Sequence, residues 1–309
     1  MTQLRTADAV QCKRANLERR AEMLRAVRSF FAARAFLEVE TPVRLHAPLP
    51  ERHIDAVPAD GLWLATSAEP HMKQLLAAGC ERIMQISKCF RRGEAGTRHH
   101  PEFTMLEWYR THADYRVLAD DARALLCDVS TAVCGDTTVV YQQTRIDLAA
   151  PWEWLSVDEA YQRYAEWRLE DQPESFAFDC TMTQTIEPRL GIGRPTVLYD
   201  YPACFCPMAE PLAHNAARAA RLEIYLAGLE LANGCTERRD AHAQRQTLRE
   251  EQAARQAMGK DVYPWPDAFD AALERMPAAA GMALGLDRLA MVLCDTTSIE
   301  DVIAFCEPT

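Results

Sequence analysis

The chain has 309 residues, about half of them hydrophobic and a quarter charged, enough to bury a large core in one big domain or two ordinary ones. Its formal charge is 34 − 45 = −11, so the surface as a whole repels phosphate backbones, and nucleic-acid binding would need a local basic patch. No apolar leader opens the chain and no stretch approaches the roughly 20 apolar residues of a membrane-spanning helix, so the expectation is a cytoplasmic protein with no membrane partner.

Leu17, Ala21, Leu24, Val27 and Phe31 recur at three- and four-residue spacing between charged neighbours, which predicts an amphipathic helix. After Arg34 the period changes to two. Leu37, Val39, Thr41 and Val43 alternate with Glu38, Glu40 and Pro42, which predicts a strand that ends or lies at an edge near Pro42, a residue without an N–H. Further strands are predicted at 62–66, 83–90, 102–109, 196–201, 222–231 and 283–286, and helices at 69–78, 117–133, 156–168, 244–258, 266–274 and 287–293. Consecutive strands outnumber what βαβ crossovers would give, so the expected class is α+β, a mostly antiparallel sheet flanked by helices. The polar stretch 166–174 is the best candidate insertion or linker. Eleven cysteines scatter singly from Cys12 to Cys306 with no C-x-x-C, which argues against zinc and for reduced side chains acting as small core hydrophobes.

Three segments carry chemistry. In CFRRGEAGTRHHPEFTMLEWYR, from Cys89 to Arg110, strand alternation puts Phe103, Met105, Glu107 and Tyr109 on one face, so that face mixes an aromatic platform, a carboxylate and a phenol. The loop before it, with Arg91, Arg92, Gly93, Gly96, Arg98, His99 and His100, is rich in donors suited to a polyphosphate; its composition equally fits a solvated basic connection. In RLEIYLAGLELANGCTE, from Arg221 to Glu237, a tight turn around Leu226 and Ala227 would set Glu223 directly opposite Glu230, a pair that repels unless a cation such as Mg²⁺ lies between; exposed glutamates on a hairpin are the other reading. In GMALGLDRLAM, from Gly281 to Met291, a small-residue strand leads into a helix whose Arg288 could reach a terminal phosphate, although the same run is also ordinary helix capping.

In this order the three segments resemble the class II aminoacyl-tRNA synthetases. The first helix with Phe36 to Pro42 looks like motif 1, Phe90 to Tyr109 like motif 2 and Gly281 to Met291 like motif 3; RHHPEFTMLEWY, ELANG and TSAEPHMK are most similar to the lysyl branch. The likeness covers nearly the whole chain, read as a short extension over 1–16 and a class II synthetase-like catalytic domain over 17–309. With so early a start, the expectation is a chain without an anticodon-binding domain. At Ala283 the chain is similar to the truncated paralogues that join (R)-β-lysine to elongation factor P, where the lysyl-tRNA synthetases have glycine.

The resemblance implies ATP as co-substrate, a motif 1 homodimer, elongation factor P and (R)-β-lysine as partners, and no tRNA. It implies Arg91 on the α-phosphate and His99 and Arg288 at the β and γ end, with Arg91 and Arg288 the catalytic pair. Phe103 would stack on adenine, and Arg92, Gly93, His100, Glu230, Leu231 and Gly285 would complete the ATP site. Glu223 and Glu230 would hold Mg²⁺. Ser67, Ala68 and Glu69 would receive the substrate's amino group, Glu107, Tyr109 and Glu237 would enclose its side-chain ammonium, and Ala283 would shape the space between. The chain departs from the family pattern at Gly93, where motif 2 has a glutamate and Glu94 follows one place later, at His100 for an asparagine, and at Ala68 and Pro70. Two rival readings are a lysine-activating enzyme with another acceptor and an inactive paralogue serving as a regulatory subunit.

Overall fold

The computed structural model describes residues 11–165, 167–170 and 173–307, so part of the N-terminal extension and of the stretch 166–174 lies outside the described residues. Among the described residues nine strands form one sheet, in the spatial order β1 (Leu37–Glu38), β5 (Arg82–Phe90), β6 (Glu102–Thr111), β14 (Ala279–Gly285), β13 (Leu229–Thr236), β12 (Asn215–Leu226), β10 (Thr196–Pro202) and β9 (Glu153–Ser156), with β11 (Pro211–Leu212) beside β12. The outer pairs β1–β5 and β9–β10 are parallel and the middle of the sheet is antiparallel, as expected. The strands β2 (Arg44–Leu45), β3 (Pro58–Ala59) and β4 (Leu62–Leu64) make a small second sheet, and β7 (Thr138–Tyr141) pairs with β8 (Thr144–Asp147). The flanking helices are α1 (Arg14–Ala32), α2 (Glu69–Ala77), α3 (Tyr115–Cys134), α4 (Val157–Ala160), α5 (Ser175–Thr181), α6 (Ala241–Ala257), α7 (Asp267–Leu273) and α8 (Leu286–Leu293). None of the described helices is long and apolar enough to cross a membrane.

One face of the sheet carries the main core. Leu106 and Trp108 of β6 turn into it with Ile224, Ala232 and Met282 and are covered by α1, α3 and α8. The residues between them, Met105, Glu107 and Tyr109, face a cavity on the other side, as the alternation requires. Asp114 caps α3 by accepting from the N–H groups of Arg116 and Val117, and Gly135 ends the helix at φ +78°.

Several expectations need correction. The buried stripe of α1 is Met23, Val27, Phe30 and Phe31, whereas Ala21 is exposed, because the helix meets the core along the 23–27–30 line. Phe31 stacks edge-on with Phe36 at 4.9 Å and lies 5.5 Å from Trp108, so these rings pack within this chain. The strand predicted over 37–43 shrinks to Leu37–Glu38: Val39 still donates to the Met84 carbonyl, and pairing stops short of Pro42. The span 222–231 is two strands joined by a two-residue turn, and the helix predicted over 156–168 is the single capped turn α4 running into a π-turn. Among the cysteines only Cys89 and Cys206 are buried, while Cys12, Cys134 and Cys204 are exposed, so most are not core hydrophobes.

Candidate active site

The three signature segments meet through one carboxylate. Asp287, at the start of α8, accepts the N–H of Thr104 in β6 at 2.7 Å and pairs with Arg20 of α1 at 2.5 Å. This link fixes the floor of a cavity of about 700 Å³ formed by β6, β13, β14 and the loops above them.

At one end the cavity is acidic. Glu107 is buried and accepts the N–H of Ala68 at 2.7 Å and the hydroxyl of Tyr109 at 3.2 Å; burial, reinforced by Glu69, pushes its carboxyl up to about 7. Glu237 is likewise pushed up to about 7 by burial, against the pull of Lys73. Ser67 accepts the N–H of Glu69 at 2.9 Å, so the first turn of α2 aims Glu69 at the same end. Ala283 lies in the floor, paired across the sheet with Glu107 on one side and Asn233 on the other. Beneath the acids is Gly281, where a Cβ would lie 2.1 Å from the Tyr109 ring and 2.8 Å from Glu237 Oε1; only glycine fits.

The other end is basic. Arg288 donates to the carbonyl and side chain of Glu230 at 2.8 and 3.2 Å, and its second amino group lies 2.6 Å from His99 Nε2. Burial, and then the charge of Arg288, holds the His99 imidazole below its ordinary value. Arg91 lies 5.1 Å over the Phe103 ring and 3.8 Å from Glu94, which lines the cavity beside Gly93. Gly93 has φ +84°, a conformation that disfavours the glutamate of the family pattern. His100, Leu231 and Gly285 also line this end. Arg92 does not: it reaches outward to Asp261 at 2.9 Å.

The carboxylate pair of the hairpin is arranged differently from the expectation. The turn is Ala227–Gly228, both left-handed, and a bulge between Ile224 and Tyr225 sets Glu223 opposite Asn233 and Glu230 opposite Tyr225. The turn falls one residue later than the direct pairing needs, and the bulge adds a further slip. That bulge nevertheless brings Glu230 and Asn233 to the face that carries Glu223. Glu223 accepts the hydroxyls of Tyr201 and Tyr225, both at 2.6 Å, and pairs with Arg221. Burial and the charge of Glu223 raise Glu230 above its ordinary value.

A family model described as tRNA synthetases class II (D, K and N) matches residues 3–309. The chain belongs to that family. Among its class II relatives, a protein named elongation factor P–(R)-β-lysine ligase from Pectobacterium atrosepticum is 38% identical over 94% of each chain, and one of the same name from Haemophilus influenzae is 37% identical over 94% of each. The lysine–tRNA ligase of Moorella thermoacetica is 36% identical over 93% of this chain, which spans 64% of that protein's length.

Four residues of this class II site escaped the sequence reading. Gly281 was visible only as part of a small-residue run, and Lys73 only as the last letter of TSAEPHMK. Glu51 lines the acidic end and is pushed up to about 7, mainly by burial and then by Glu69, but it sits in an irregular proline-flanked loop with no periodic signal. Glu187 is pushed up to about 7 by burial and then by Glu223 and Glu230, and only the folding of a distant 3₁₀ turn brings it to them.

Proposed function

We propose that the chain is an ATP-dependent ligase that activates (R)-β-lysine as its adenylate and transfers it to the target lysine of elongation factor P. The observation that carries this reading is the polarity of one cavity: three buried or half-buried carboxylates with a phenol at one end suit a diamino acid, and Arg91, His99 and Arg288 at the other suit a triphosphate. The full-length similarity to the two ligases and the residue Ala283 favour β-lysine and elongation factor P over a tRNA acceptor, as does the net charge of −11.

The substrate carboxylate attacks the α-phosphorus in line and pyrophosphate leaves, so the first step needs orientation and charge neutralisation but no general base. Arg91 holds the α-phosphate, Arg288 and His99 the far phosphates, and Phe103 and Leu231 enclose the adenine, with Gly93, His100 and Gly285 shaping the loop and floor. Glu94, beside Arg91, stands in for the missing motif 2 glutamate. Ser67, Ala68 and Glu69 receive one amino group, and Glu107, Tyr109 and Glu237 the other. A neutral lysine amine of the acceptor then attacks the acyl carbon, and AMP departs.

Glu223 and Glu230 fit Mg²⁺: two mutually repelling carboxylates, with the charge of Glu187 also acting on them, suit an ion that keeps waters and phosphate oxygens. Bound there, the ion would neutralise phosphate charge. The catalytic domain is read as 17–309, working in the cytoplasm where translation factors reside. Homodimerisation through the motif 1 region is supported by Leu37, 57% exposed on the edge strand β1, and by the exposed Val43; light scattering giving a monomer mass would remove it.

Incubation with ATP, Mg²⁺ and (R)-β-lysine should add one lysyl unit to elongation factor P, and replacing the acceptor lysine by alanine should abolish the mass shift. Efficient labelling of tRNA with none on elongation factor P would overturn the proposal.

A further inference from the structure

Behind the acidic end of the cavity lies a lysine supplied by the protein itself. Lys73, on the inner face of α2, is 1% exposed, and its ammonium stands 2.6 Å from Glu69 Oε1 and 2.6 Å from Glu237 Oε2. Glu69 and Lys73 are four residues apart on the helix, a spacing that ordinarily makes a solvent-exposed pair worth a few tenths of a kcal/mol. Here Lys73 and Glu237 are buried and Glu69 is half-buried. Desolvation of such ions costs about as much as their attraction returns, and an apolar side chain would serve stability as well. A structural brace therefore does not explain why a cation occupies this position.

The placement of the oxygens does. Glu237 gives Oε2 to Lys73 and keeps Oε1 on the side of Gly281 and Tyr109, toward the cavity. Glu69 gives Oε1 to Lys73, and Glu107 spends its oxygens on the Ala68 N–H and the Tyr109 hydroxyl. When all three are ionised, three carboxylates against one ammonium leave two uncompensated negative charges, the number that the two ammonium groups of a diamino acid would neutralise. The other ionisable groups acting on this cluster are Glu51 and Arg91, whose opposite charges leave the count unchanged, the Tyr109 phenol and the Cys89 thiol, both held protonated by burial, and Cys235. Burial and then Glu237 hold the Cys235 thiol protonated, so it adds no charge.

We propose that Lys73 is a positioning residue, a built-in counter-ion that holds the Glu69 and Glu237 carboxylates in place and offsets their charge so that the pocket takes two substrate ammonium groups. The proposal rests on the reading that these carboxylates hold the substrate. Burial opposes the charge of Lys73, but Glu237 and Glu69 outweigh it and raise its ammonium well above the ordinary range, so it stays charged at any working pH. Without it nothing offsets the repulsion between the two carboxylates, Glu237 loses the charge that opposes its protonation, and an ammonium substrate would meet a misoriented and less charged pocket.

The test uses Lys73→Met, which keeps the volume without the charge, and Lys73→Ala, which leaves a slot the size of a propylammonium ion. Pyrophosphate exchange dependent on (R)-β-lysine reads KM for each substrate. In Lys73→Met, KM for β-lysine at pH 7 should rise on the order of 100-fold, as expected for truncating one partner of a buried charge pair, with KM for ATP within about threefold. Raising the pH to 8.5 should recover roughly tenfold as the carboxyl groups ionise. Propylammonium, but not propanol, should restore Lys73→Ala. An unchanged KM for β-lysine in Lys73→Met, an equal rise for both substrates, or a defect indifferent to pH and to propylammonium would each overturn the proposal. Glu237→Gln separates the two ideas: if it leaves KM for β-lysine unaltered, the pocket assignment itself fails, whereas a large effect there with none in Lys73→Met removes only the role of Lys73.

Discussion

The two ends of the cavity manage buried charge differently. At the acidic end Lys73 is fixed 2.6 Å from two carboxylates, and what it does not neutralise is met by carboxyl groups pushed up to about 7. At the basic end the protein neutralises itself with exchangeable pairs, Arg288 on Glu230, Arg91 near Glu94 and Arg221 on Glu223, each of which an incoming phosphate or metal ion can replace. The acidic end is enclosed and the basic end is half-open, so in the proposed function one would be preorganised for a small cation and the other would reorganise around a large anion. Affinity for the amino acid should therefore depend on protonation, and affinity for ATP on breaking ion pairs.

The largest effects should separate the ends cleanly. Glu107→Gln removes a charge facing a desolvated ammonium and should weaken (R)-β-lysine by about 3 to 5 kcal/mol with little change for ATP. Arg288→Ala should lower adenylate formation by about 10²- to 10³-fold, as removal of a donor to developing negative charge does, and leave β-lysine affinity near the parent value. Calorimetry and pyrophosphate exchange check both; equal losses for both ligands in either variant would dissolve the division.

A smaller effect should arise at the boundary. Ala283 is paired with Glu107 and Asn233 in the floor, where, in the proposed function, one methyl group would set how far the substrate's backbone carbons can approach. Ala283→Gly should raise activation of α-lysine relative to β-lysine, by roughly 10- to 200-fold at most, since one methyl decides about 1 to 3 kcal/mol. An unchanged ratio in competition assays would remove Ala283 from specificity.

The smallest effect concerns stability. Glu51, Glu107, Glu187 and Glu237 are raised from 4.5 to about 7, so between those values the folded state holds more protons than the unfolded chain. Their contribution is fully present below about 4.5 and is lost as pH rises through 7. Asp55, Glu159, Glu174 and Asp240 are lowered and act at pH values below this window, whereas His71 and His99, held below 6.5, gain stability as pH rises toward that value and offset part of the loss. The ligand-free protein should melt at progressively lower temperature as pH rises from 5 to 8. Saturating β-lysine should flatten that slope by compensating Glu107 and Glu237, whereas ATP should not; a slope that ATP alone abolishes would place the titrating acids at the other end.

How much of this was legible in the sequence follows from the range of the forces involved. The period-two alternation of residues 103–109 fixed which side chains face the core and which face the cavity, because a strand has one geometry. The hairpin of Glu223 and Glu230 was legible as a hairpin but not in register: a turn shifted by one residue and a bulge at Leu231 are small local choices that the whole sheet decides. Likewise the α1 pattern announced a helix, yet which stripe is buried depended on where Trp108 and Phe36 stand. The residues that the family signature singled out for ATP at the basic end all line the cavity except Arg92, whose direction was settled by Asp261, a residue 169 positions away. Sequence by itself determined the set of ionisable groups and their spacing along each element. Only the tertiary structure decided that Lys73 meets Glu237, that Glu51 and Glu187 join the cavity's charges, and that their carboxyl groups rise toward 7, because desolvation and charge coupling depend on what surrounds a group in space and not on its neighbours in the chain.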